Sequence, residues 1–245
     1  NMVGAVVGVQ PFGGEGLSGT GPKAGGPLYL LRLLSQRPAD ALARTFADAD
    51  RATPPEDAVR ERLLAPLATL QQWAQLQGNA ALASTCQRFA RQTQSGTART
   101  LHGPTGERNV YTLAPRARVL CLAQSVDDLL TQTAAVLATG GTALWPNAQA
   151  SLRAQLHTLV QAQVMLQDNT LNDGTLELDA VLHHGDTPSL QAVCTALTRR
   201  AGPIVGVTAL QPGATDIPLE RLMIERALSV NTAAAGGNAS LMTIG

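Results

Sequence analysis

The chain has 245 residues, 44% of them hydrophobic, which is enough apolar material for one full core and part of a second. Eighteen basic residues balance eighteen acidic ones, so no net positive field exists to hold nucleic acid through its phosphates or to draw the chain to an anionic membrane. Apolar segments too short to span a bilayer, no leader, and three scattered cysteines (Cys86, Cys121, Cys194) without a C-x-x-C pair lead us to expect a soluble, cytoplasmic protein without disulfides.

The chain opens on Asn rather than Met and enters an apolar run, Met2 to Val9, as a piece cut from a longer polypeptide would. That run reads as a strand. A glycine-dense loop follows, then a short apolar helix from Leu28 to Leu34 that stops near Pro38. Residues 1–38 cannot close a core alone. Residues 39–106 form a second unit of two or three connecting helices. Val59, Leu63, Leu67, Leu70 and Leu76 fall near a helical period and Pro66 is placed to kink or divide it. Gly and Pro between Ser95 and Gly106 mark a boundary or surface loop.

From residue 107 to 245 strands and helices alternate. Strands are expected at Val119 to Ala123, Thr142 to Trp145, Ala180 to His183 and Ile204 to Thr208, with helices over Val126 to Ala138, Gln149 to Met165 and Thr187 to Ala201. Continuous apolar strands between helices imply a parallel sheet covered on both faces: an α/β, Rossmann-like, doubly wound domain.

Several polar groups invite functional readings. Gly14 to Gly19 matches G-x-G-x-x-G, but Thr20-Gly21-Pro22 keeps the chain in loop where a dinucleotide fingerprint must open a helix. His183 and His184 point to opposite faces of a strand, so one metal ion cannot readily use both, and no metal site is assigned. Asp127 and Asp128 read as first-turn carboxylates favoured by the helix dipole. Each cysteine reads as a small buried apolar residue, so no nucleophile is assigned within this chain.

The string Val7-Gly-Val-Gln-Pro-Phe-Gly-Gly-Glu-Gly-Leu-Ser-Gly-Thr-Gly-Pro-Lys-Ala-Gly-Gly-Pro27 resembles the substrate loop of an aldehyde dehydrogenase module, and specifically that of the proline utilization A family. The resemblance implies that Phe12 helps enclose an aldehyde chain. It also implies that Ser18, with the N–H groups of Gly16 and Gly19, anchors the α-carboxylate of glutamate semialdehyde. Further on, Pro115 to Ala123 and Ala138 to Pro146 are similar to the start of an aldehyde dehydrogenase nucleotide domain, with Trp145 where that family has lysine. Glu225 to Ser240 echoes the beginning of the chain, as a degenerate second copy of the fold would. A small-residue terminus explains the same stretch.

On this resemblance the chain is the C-terminal part of a bifunctional enzyme that oxidises proline to glutamate with FAD and NAD. Catalytic residues and cofactor contacts then lie upstream, in domains of the same polypeptide, and the whole is a homo-oligomer. Residues 107–245 become a structural covering domain. The alternative is a stand-alone Rossmann-like domain for nucleotide binding or oligomerisation; against nucleotide binding, the first βα turn, Ala123 to Asp128, lacks glycine and carries two carboxylates.

Overall fold

A computed structural model describes residues 5–34, 36–38, 40–47, 52–53, 57–103, 105–168, 171 and 176–232. Tyr29–Leu33 form a 3-10 turn, followed by α1 (Ala41–Thr45), β1 (Ala52–Thr53), α2 (Asp57–Leu76), α3 (Ala80–Gln92), β2 (Ala98–Leu101) and β3 (Glu107–Pro115). Next come β4 (Arg118–Ala123), α4 (Val126–Thr139), β5 (Thr142–Pro146), α5 (Ala150–Gln155), α6 (Thr158–Gln161) and β6 (Val164–Gln167). The chain continues through β7 (Ala180–His184), α7 (Thr187–Thr198), β8 (Gly206–Leu210) and β9 (Met223–Asn231).

Five strands form a parallel sheet in the order β6-β5-β4-β7-β8. Strand order runs outward from β4 in both directions, so the sheet is doubly wound as expected, with its switch point between β4 and β7. Residues alternate between its faces. Val119, Cys121, Ala143, Trp145, Val164 and Leu182 join the larger core with α4, α2 and α3. Leu120, Leu144 and Val181 face the opposite way, with Leu178 from the chain before β7 and with Val193 of α7.

Helix α4 is the centre of the larger core. Every residue from Asp128 to Thr139 is buried. Ser125 starts the helix, its Oγ accepting from the Asp128 amide at 3.1 Å, and Gly140 ends it in the left-handed conformation at φ 83°. Trp145 is fully buried beneath it and donates from Nε1 to Thr133 Oγ1 at 2.9 Å. A lysine there would bring a charge into this apolar core.

A second, antiparallel sheet runs β1-β2-β3-β9. Asn109, Tyr111 and Leu113 of β3 point inward at period two, and β9 pairs with β3 from Glu107↔Asn231 to Pro115↔Met223. The apolar strand expected to reach Asn231 is thus present, while residues 233–245, with the rest of the terminal echo, lie outside the described residues.

Four expectations are corrected. Residues 7–9 turn instead of extending, with the Val6 carbonyl accepting from the Val9 and Gln10 amides at 3.1 and 2.9 Å; residues 2–4 lie outside the described residues. Pro66 does not divide α2, because Leu67, Leu70 and Ala74 bury on the far side of it and packing outweighs one missing backbone bond. The stretch from Ser95 to Gly106 contains β2, paired along its length with β3. The helix read from Gln149 to Met165 stops at Gln155 and restarts at Thr158, capped by His157 Nδ1, and its end is strand β6.

Trp145 fills the space between α4 and the sheet, so Trp145→Ala should cost about 3–5 kcal/mol of unfolding free energy. Denaturant titration followed by circular dichroism measures it.

Candidate functional site

The loop from Pro11 to Gly26 is a compact double-backed turn. Phe12 and Ala24 exchange backbone hydrogen bonds at 3.1 and 2.7 Å, and a second bridge joins Glu15 to Thr20. Inside it, Gly14 and Ser18 are so close that a Cβ built on Gly14 would lie 1.9 Å from Ser18 Oγ, so a side chain at position 14 would displace the Ser18 hydroxyl. The Gly16 carbonyl accepts from the Ile204 amide at 2.8 Å, which ties the tip of the loop to the chain entering β8.

Of the four residues assigned from the sequence, Phe12 and Ser18 are exposed, and Gly16 and Gly19 are half-buried between them. All four lie in this one turn. Phe12 also borders a small cavity against β3 and β9, lined by Val9, Leu101, Val110 and Leu228 among others. The loop therefore carries its polar and aromatic groups outward, on a backbone fixed from behind.

What fixes it comes from the far end of the chain. Glu225 of β9 is 4% exposed and accepts a hydrogen bond from Tyr111 Oη at 2.8 Å and another from the Lys23 amide. Lys23 lies one residue before Ala24, the partner of Phe12. Burial holds the Glu225 carboxyl above the usual carboxylate range, against the opposing pull of the Lys23 amide and the Tyr111 hydroxyl. Burial, reinforced by that carboxylate, pushes the Tyr111 hydroxyl up as well. Arg116 braces the other arm, donating to the Thr20 carbonyl at 2.7 Å. Neither Glu225 nor Tyr111 was legible as part of the site, since 202 residues separate Glu225 from Lys23 and its outward neighbours on β9 give the strand a polar text.

At the switch point, where doubly wound sheets take their ligands, the chain's own groups fill the space. His184 Nε2 donates to the Ala214 carbonyl at 2.8 Å, and Nδ1 accepts from Gln132 Nε2 at 2.9 Å. Asp128 Oδ1 accepts from the Gly213 amide at 2.9 Å and lies 3.8 Å from His184 Nε2. Asp127 and Asp128 both stand in the first turn of α4, as expected; Asp127 is exposed, while Asp128 is buried and also tethers Gly213. His183 does face the other side, beside Ser189 Oγ at 3.1 Å, and burial lowers its basicity. Among the described residues no group of three or more His, Cys, Asp or Glu could hold a metal ion.

The cysteines divide. Cys86 and Cys121 are buried, with burial pushing the Cys86 thiol up to about 12 and raising that of Cys121 too, so neither supplies a thiolate near neutrality. Cys194 is exposed, not buried, because α7 buries Val193 alone against the sheet.

No model of a known family matches the chain. Individual relatives do: over its whole length it is 56% identical to the bifunctional protein PutA of Salmonella typhimurium and 53% identical to that of Escherichia coli. The chain is homologous to a segment of PutA. It spans only 18% of either of these PutA relatives. The solved structure of proline utilization A from Corynebacterium freiburgense aligns with TM-score 0.51 over 94% of this chain and 20% of that one; at 17% identity this shows a shared fold. The family resemblance read from the loop is therefore shown, and no described helix is long and apolar enough to cross a membrane.

Glu225 gives a signed pH effect. Its folded form holds the proton to higher pH than the ordinary 4.5, so stability should fall as pH rises from 4.5 through the raised value. Glu225→Gln should abolish that slope. Thermal unfolding of both proteins across the acid range is the check.

Proposed function

We propose that this chain serves a PutA-type enzyme in two ways. Residues 1–38 carry the loop that anchors glutamate semialdehyde, residues 39–106 connect, and residues 107–245 form a non-catalytic domain that covers the working module. The observation that supports the first role is the loop's construction: a backbone locked by Glu225, Arg116 and Ile204, with Phe12 and Ser18 left facing outward. A rigid turn of this kind presents amides and a hydroxyl to an anion at little entropic cost. In this reading the intact polypeptide is a homo-oligomeric cytoplasmic oxidoreductase that uses FAD for proline and NAD for the semialdehyde. Its nucleophile and cofactor contacts lie outside this chain.

The Ser18 hydroxyl and the Gly16 and Gly19 amides would hold the α-carboxylate, remote from the carbon that is oxidised. Phe12 would shield the aliphatic stem from water. Ser18→Ala in the intact enzyme should then raise KM more than it lowers kcat, with a loss of about 1.5–3 kcal/mol, or one to two powers of ten, in kcat/KM. Steady-state kinetics with glutamate semialdehyde test this, and unchanged constants would remove Ser18 from the site.

The Rossmann-like domain is proposed to bind no dinucleotide. The Asp128–Gly213 and His184–Gln132 bonds occupy the switch point, the first βα turn has no glycine, and buried Trp145 replaces the lysine that the resemblance calls for. Calorimetric titration of the purified chain with NAD should give no saturable heat; micromolar binding would revive the nucleotide-binding alternative.

A further inference from the structure

Between the loop and the edge of the parallel sheet lies a cavity of about 260 Å³ whose lining includes Lys23, Arg32, Arg116 and Arg221. Three glutamates, Glu15, Glu220 and Glu225, share that lining, so four cations stand there against three acids. Each of those acids has a partner of its own. Glu15 is paired outward with Arg226, and Glu220 with Arg37 at 2.8 Å. Glu225 is engaged by Tyr111 and the Lys23 amide. Asp179, which attracts Arg116, directs Oδ2 to the Arg118 amide at 2.8 Å.

These cations donate hydrogen bonds only to neutral oxygens, while Glu220 attracts Arg32, and Asp179 and Glu15 attract Arg116, through space. Arg116 donates to three backbone carbonyls, those of Thr20, Asp179 and Arg221. Lys23 Nζ donates to the Gly13 carbonyl at 2.9 Å. Arg32 reaches the Gly21 carbonyl at 3.2 Å and Thr20 Oγ1 at 3.5 Å, the second long. Arg221 makes no side-chain hydrogen bond or ion pair among the described residues, and its charge opposes that of Arg32. Two guanidinium groups that repel each other across a half-enclosed space, with the neighbouring acids already engaged, are the arrangement that a polyvalent anion relieves. The hydroxyls of Thr20 and Thr208 on the same wall add neutral donors.

We propose that this cavity is a binding site for a small polyvalent anion, a phosphate or a dicarboxylate, held chiefly by Arg32 and Arg221. Ser18 is not on its lining, so the site is distinct from the proposed semialdehyde anchor and does not depend on it. An anion there would join the 3-10 turn at Tyr29–Leu33 to the turn before β9.

The test is calorimetric titration of the purified protein with inorganic phosphate, sulfate and glutarate in turn, at ionic strength held constant with potassium chloride. One saturable site is expected, and the preference between phosphate and glutarate names the anion class. Arg221→Gln and Arg32→Gln should each weaken binding roughly tenfold or more, since each removes charge-assisted hydrogen bonds. Glu15→Gln should tighten it, a gain that a damaged fold cannot mimic. Absence of saturable binding with all three anions, or equal binding by folded Arg32→Gln and Arg221→Gln proteins, overturns the proposal.

Discussion

The nine-residue ladder between β3 and β9 is the constraint on which the rest depends. It joins residues 107–115 to residues 223–231 and so closes the chain around the parallel sheet. Without it, Glu225 would have no reason to lie beneath Lys23, and Tyr111 no carboxylate to meet. A buried carboxylate is costly unless each oxygen is satisfied; here one oxygen takes the tyrosine hydroxyl and the other a loop amide. That requirement makes the geometry specific: only one register of the ladder places the carboxylate there.

The parallel sheet and its main helices were legible because their text is periodic and their boundaries are chemical. Ser125 and Gly140 bracket α4, and Asp186 with Pro188 opens α7. The glycine loop was legible as a motif, since its string of small residues departs so far from any helix or strand. The supporting shell was not. Glu225 reads as a solvated charge among the exposed residues of β9, and its burial arises only from pairing with a strand more than a hundred residues earlier. The polar network of Asp128, Gln132 and His184 escaped for the same reason: each looks local, and together they are a tertiary contact. Strand β6 was hidden because it follows α6 after two residues without Gly or Pro to punctuate the change.

The switch point illustrates how a fold can keep its architecture while its chemistry changes. A nucleotide needs close backbone approach and a free helix start. In this chain the start of α4 is spent internally: Ser125 caps it, Asp128 reaches across to Gly213, and Trp145 packs beneath. These contacts fill the switch point with the chain's own side chains, which suits a domain whose proposed work is to cover another.

Arg116 carries one more consequence. Its guanidinium grips three separated segments, at residues 20, 179 and 221, entirely through main-chain carbonyl oxygens. Every amino acid provides the same carbonyl, so these three hydrogen bonds do not depend on which side chains those residues carry, although the Asp179 carboxylate adds attraction of its own. Exchanging any one of those side chains leaves its carbonyl bond available, whereas exchanging Arg116 removes all three bonds at once.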